Sequence, residues 1–199
     1  MEIVFETAVA DHHFEQILDL QKQNLYTSLS PQQQVQQGFV FAEHTMDHLK
    51  TMASEIPQVI ALYDGKVVGY NLAMTSGMKN ILPSLAPMFE EFEKTVFKGK
   101  LLGEYEYMVG GQVCVAAAFR GQGLLGKLYN ETRKRIPEGY QLCVTEISER
   151  NLHSLKSHQK MGFQIAGSYH DGQEPWNVVV WEFCRYGCGG RPQIPTSTI

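Results

Sequence analysis

The stretch VCVAAAFRGQGLLGKL, Val113 to Leu128, runs from alternating apolar residues through a glycine-rich turn straight into a helical pattern. With almost no side chains at Gly121, Gly123 and Gly126, the backbone there can approach a diphosphate closely. The first N–H groups of the following helix have no partners inside it, and a phosphate satisfies them. The junction reads as an anion cradle.

Two kinds of site use such a cradle. Gly121, Gly123 and Gly126 spell GxGxxG, and Glu146 follows at about the 20-residue distance of a ribose-binding acid, which is the pattern of a dinucleotide site. That site wants its first glycine tight against the strand end, whereas residues 116–120 intervene here. Read instead from Arg120, the segment resembles the acyl-CoA-binding motif Q/RxxGxG/A of the GNAT family of N-acetyltransferases, with Leu125 at the final small position and Gly126 one place late. Downstream, EISERNLHSLKSHQKMGF, Glu146 to Phe163, resembles the family's second signature. Asn151, Ser154, Lys160, Gly162 and Phe163 stand at matching places, and His158 stands where many members carry a tyrosine. The order and spacing of the two segments favour the acyl-CoA reading.

The resemblance implies an α/β fold with a central mixed, mostly antiparallel sheet flanked by helices, spanning residues 1–185, with a tail at 186–199. It implies transfer of an acetyl group from acetyl-CoA to a primary amine, on a small molecule or a peptide, by direct attack in a ternary complex without a metal. The strand residues Val113, Cys114 and Val115 would flank pantetheine, with the valine backbones pairing to it. Arg120, Gly121, Gln122, Gly123, Leu124, Leu125 and Gly126 would form the phosphate turn, and Asn151 and Ser154 would complete the donor site. His158 would protonate the departing thiolate, and Glu146 would take the proton of the amine, ahead of Glu104 and Glu106. Two other classes are an acyl-CoA-binding sensor without turnover and a dinucleotide-dependent oxidoreductase.

Composition sets bounds. The 199 residues suit one domain with a substantial core, and a net charge of −4 argues against nucleic acid as partner. No run approaches the roughly 18 apolar residues of a membrane span, and the acidic start MEIVFETAVADHH is unlike a signal peptide, so a cytoplasmic protein is expected. Cys114 and Cys143 fall in strand patterns and read as buried free thiols. Cys184 with Cys188, and His44 with His48 on one helix face, lack the further ligands a metal needs. The Gly- and Pro-rich end GCGGRPQIPTSTI suits a free tail or a reach to a second copy in a homodimer.

Around the decisive stretch, periodicity predicts a strand over residues 3–8, a helix over 11–23, and a helical region over 30–54 broken at Gly38. Asp64-Gly65 between two β-rich runs predicts a hairpin over 57–75, and a short helix is expected over 88–96. A long strand is expected over 104–115, with a bulge at Gly110-Gly111. A helix over 124–136, a strand over 140–147 and a helix over 151–161 follow, the last placing His158 on its inward stripe.

Overall fold

Asp64 and Gly65, at φ 52° and 71°, supply the two left-handed residues of a tight hairpin turn. They join β2 (Val59–Tyr63) to β3 (Lys66–Met74) in the antiparallel pair the sequence predicts. The computed structural model describes residues 2–81 and 85–183, so Cys184, Cys188 and the tail at 186–199 lie outside the described residues.

Seven strands form one sheet in the order β1-β2-β3-β6-β7-β9-β8. They include β1 (Val4–Thr7), β6 (Tyr107–Val115), β7 (Leu142–Ser148), β8 (Gln164–His170) and β9 (Pro175–Glu182). A separate small hairpin pairs β4 (Val96–Phe97) with β5 (Lys100–Leu101). Of the pairings in the large sheet, only β6 with β7 is parallel, so the sheet is mixed and mostly antiparallel as expected.

Alternation along the strands divides the core. Ile60, Tyr70, Leu72, Val109 and Val144 face one layer, built by α1 (Asp11–Asn24), α3 (Met46–Glu55) and α4 (Ala86–Lys94) through Ile17, Leu49, Met52, Phe89 and Phe92. Val59, Ala61, Met108 and Cys143 face the other, built by α5 (Leu124–Arg135) and α6 (Leu152–Lys160). Cys114 and Cys143 are buried free thiols.

Two sequence expectations change. The helical region over 30–54 breaks at Gly38 as expected, but the break extends to Thr45. A capping box at Ser30 and Gln33 starts α2 (Pro31–Gln37), Gly38 at φ 70° ends it, and the chain then runs without helix until Thr45 caps α3. His44 therefore stands before the helix rather than on it, buried, with Nδ1 2.8 Å from Gln21 Oε1. The long strand begins at Tyr107, because residues 102–104 form a short 3-10 turn in which Glu104 accepts from the Leu101 N–H at 2.8 Å. Glu104 and Glu106 are exposed before β6 begins, at the opposite end of that strand from the glycine turn.

Candidate active site

The site begins where two strands part. β6 and β7 pair only through Tyr107, Met108 and Val109 against Leu142, Cys143 and Val144. Beyond that, β6 stays with β3 to Val115 and β7 stays with β9 to Ser148, leaving a wedge between them. A bulge between Leu72 and Ala73 puts Gly111 outside the regular register and helps turn β6 away. Both glycines sit where a Cβ would be crowded. A Cβ on Gly111 would lie 2.7 Å from Met74 Cε, and one on Gly110 would lie 3.1 Å from the Tyr129 hydroxyl. At the apex, the Thr145 hydroxyl donates to the Gly110 carbonyl at 2.6 Å.

Ala116 N–H donates to the Val68 carbonyl at 2.9 Å, so the alternate residues Val113 and Val115 turn their backbone groups away from β3 and into the wedge. The backbone groups of Val113 and the Val115 N–H are edge groups of the kind an extended amide-bearing ligand pairs with, while the Val115 carbonyl accepts from Arg120.

A cleft of about 370 Å³ continues from the wedge, lined by Val113, Cys114, Val115, Arg120, Gly121, Gly123, Leu124, Leu125, Gly126 and Ser154 among others. Gly121 and Gly123 take φ values of 74° and 72°, which any side chain would strain, and a Cβ at either would meet nothing within 4 Å. Gly123 is the N-cap of α5 and offers no side-chain cap, so the first amides of that helix keep their donors for a ligand.

Arg120 has another task. Its guanidinium donates to the Val115 carbonyl at 2.9 Å, to Asn24 Oδ1 at 2.5 Å, and to the carbonyl and side-chain oxygen of Gln37 at 3.3 and 3.2 Å. It ties the glycine turn to the end of α1 and to α2. Gln122 is exposed and bonds to the Ala118 carbonyl, outside the cleft lining. Asn151 is buried behind the wall, where Oδ1 accepts from Ser154 N–H at 3.3 Å to cap α6 and Nδ2 donates to the Phe39 carbonyl at 2.7 Å.

The opposite wall comes from Asn24, Gln37, Phe39 and Val40, with His153 and Ser157 on α6, which the sequence reading did not single out, together with Gly38 and Lys160, which it named only as a helix break and a motif position. Residues 37–44 form a strap fastened at several points. Arg120 and Asn151 hold Gln37 and Phe39, Val40 exchanges bonds with Asn24 and Tyr26, and Gln112 donates to the Ala42 carbonyl at 2.8 Å. A Cβ on Gly38 would sit 2.9 Å from Asn151 Oδ1. Arg120 and Lys160 give the cleft a cationic rim, with His153 beside them. Burial, then Arg120, Lys160 and Lys156, lowers the pKa of His153.

His158 is not on the cleft wall. It is 2% exposed, with Nδ1 2.8 Å from the Ser154 carbonyl and Nε2 3.0 Å from the Tyr129 hydroxyl, among Tyr129 and Phe163. A carbonyl only accepts, so Nδ1 carries the proton and Nε2 accepts from Tyr129. Burial lowers the pKa of His158 to about 4, keeping it neutral. The expected proton donor is thus placed as a core residue. Its inward position on the helix is as predicted, but it points into packed aromatics.

Glu146 stands two residues past the last β6–β7 pair, on the β7 flank of the wedge and on the face of α1 and α4. Its carboxylate accepts from the Tyr169 hydroxyl. Burial, with Asp171 nearby, raises its pKa to about 7 against the lowering effect of Tyr169. Such a carboxylate is poised to exchange protons near neutrality.

No family model matches the chain, and no curated protein matches it by sequence. Solved structures do. One from the NatC complex bound to Gag peptide and CoA superposes with a TM-score of 0.61 at 14% identity, over 92% of this chain and 100% of that one. An agmatine N-acetyltransferase gives 0.59 at 14% identity, over 92% and 100%. The ribosomal-protein-S18-alanine N-acetyltransferase from Escherichia coli gives 0.55 at 13% identity, over 96% and 99%. The wedge between β6 and β7, the glycine turn behind it and these likenesses lead to one conclusion: the chain has the GNAT N-acetyltransferase fold.

Proposed function

We propose that this protein is an acyl-CoA-dependent N-acetyltransferase acting on a primary amine. The observation that carries this is the continuity of the wedge with one cleft, which joins the backbone edge of Val113 and Val115 to the glycine cradle at the start of α5, with the Glu146 carboxyl on the β7 flank of the wedge. Val113 and Val115 would hold the amides of pantetheine, the amides at residues 124–126 the diphosphate, and Arg120 the turn that presents them. Bound acetyl-CoA supplies an acetyl thioester, whose thiolate is a competent leaving group. Glu146 takes one proton from the acceptor's ammonium, leaving the nitrogen lone pair free to attack. The solved relatives include proteins named for a peptide and for a small polyamine, and both acceptor classes suit this reading.

An amine and peptide library incubated with acetyl-CoA tests the proposal, reading thiol release and confirming the acetylated product by mass. Acetyl-CoA affinity without thiol release for any amine would mark a sensor instead. Affinity for a nicotinamide dinucleotide and none for acetyl-CoA would overturn the reading.

The cradle has its own test. Gly123→Val should weaken acetyl-CoA binding at least about tenfold by calorimetry, because the side chain projects into open space beside the helix amides. Straining a left-handed position should cost only about 1–3 kcal/mol of stability. Unchanged affinity in the folded variant would show that the turn is structural.

The rim makes a further prediction. Arg120→Gln should lower acetyl-CoA affinity mainly by loosening the strap at Gln37. Hydrogen exchange at residues 37–40 should therefore rise in the free protein. A lowered affinity with unchanged exchange would instead mean a direct contact with phosphate.

A further inference from the structure

β8 changes phase halfway along. Gln164 and Ile165 lie opposite Val180 and Val179, but Gly167 lies opposite Val178, so Ala166 is an extra residue. A one-residue slip sends every later side chain to the other face. Ile165 therefore lies on the α5 and α6 face, whereas Tyr169, also odd-numbered, pairs with Trp176 on the opposite face. That is the face of Glu146, since Glu146 pairs with Val178 and Ser148 with Trp176. Without the bulge, Tyr169 would point away from the wedge. With it, the Tyr169 hydroxyl donates to Glu146 Oε2.

Resting on the acetyltransferase reading, we propose that Tyr169 is a positioning residue of the reaction, aimed by the β8 bulge to hold the Glu146 carboxylate toward the acceptor's ammonium. The proton passes from the ammonium nitrogen to Glu146, and Tyr169 keeps its own. Bulges recur beside active sites as devices that re-aim a side chain.

The charges around the pair agree with this role. Asp171, in the β8–β9 turn, faces both groups, and Glu91 on α4 faces Tyr169. Although burial opposes it, Asp171 is kept ionised by the Trp176 indole N–H at 2.9 Å and by the backbone N–H groups of Glu174 and Gln173 at 2.7 and 2.8 Å. A fixed anion there favours protonated Glu146, and the Tyr169 hydroxyl is the donor that opposes it. Tyr169 itself is shifted upward by burial and by Glu146, so it remains a donor throughout the working range.

The test is Tyr169→Phe, with two readouts. First, the Glu146 carboxyl is titrated by carbon NMR in ¹³C-glutamate protein without ligands, its signal assigned by loss in Glu146→Gln. Second, the pH profile of kcat/KM is measured with acetyl-CoA and an amine verified by the library screen. Losing the hydroxyl should raise the Glu146 midpoint by about one pH unit. The acid limb of the profile should move up equally, giving about tenfold less activity near pH 6 and near-parental activity well above the limb. A purely structural tyrosine would lower activity at every pH. An unmoved Glu146 midpoint in folded Tyr169→Phe overturns the role of Tyr169 while leaving Glu146 as base. A parent profile whose limb does not follow the Glu146 titration overturns the assignment of Glu146, and the role of Tyr169 with it.

Discussion

His158→Phe is expected to destabilise the fold by about 1–3 kcal/mol while leaving acetyl-CoA affinity close to that of the parent. Phenylalanine fills the ring's space but supplies no acceptor for the Tyr129 hydroxyl, which is left buried, and loses the ring's bond to the part-buried Ser154 carbonyl. Each unsatisfied group costs about 1–3 kcal/mol. Urea unfolding with an unchanged m-value is the measurement. The pairing also has a pH signature. Burial lowers the pKa values of His158 and His44 to about 4, so between pH 6.5 and 4 the unfolded chain binds protons that the folded chain refuses. Stability therefore falls as pH drops through that window, by on the order of 2–3 kcal/mol for each histidine. His158→Phe should remove its share of this acid sensitivity. If the variant keeps parental stability yet loses about 10²-fold in turnover, His158 is the proton donor after all.

Glu146→Gln should lower kcat by about 10²–10⁴-fold, the range for removing a general base, with acetyl-CoA affinity unchanged because Glu146 lies outside the donor cleft lining. Burial raises the Glu146 pKa to about 7, from an ordinary 4.5. The folded protein holds that proton more tightly than the unfolded chain, so this contribution to stability is full below about pH 4.5 and is lost as pH rises through 7. Glutamine carries no such charge. The variant should therefore lose the acid limb of the rate profile and gain relative stability at pH 8, which thermal unfolding across pH reads directly. A kcat within a few-fold of the parent on a verified amine would return the base role to another group.

Local backbone chemistry made much of the fold legible in the sequence. Asp64-Gly65 specified its hairpin, the glycines of residues 121–126 their turn, and Gly110-Gly111 a distortion of β6, because each needs a conformation or a clearance that few other residues allow. The helix after the turn was legible for the same reason, since its period of apolar residues is a local property. The break in the early helical region at Gly38 was legible too, but not its length, because the fastening of residues 37–44 to the rest of the molecule holds the chain out of helix as far as Thr45.

The chemistry of the site was decided elsewhere. Arg120 is a charged residue at a phosphate turn by sequence, but its partners Asn24 and Gln37 lie 96 and 83 positions away, and they make it a clamp. His158 was placed on the inward stripe of α6, yet whether an inward ring meets a ligand or a core depends on the Tyr129 hydroxyl 29 positions earlier. Tyr169 faces Glu146 only because one residue is added to β8, a register choice made by pairing with β9 and invisible in the composition of either strand. The sequence by itself determined where the backbone turns and which face of each element is apolar, since both depend on residues within a few positions. Tertiary structure alone decided which polar groups meet, since burial obliges each of them to find a partner wherever the packed chain supplies one.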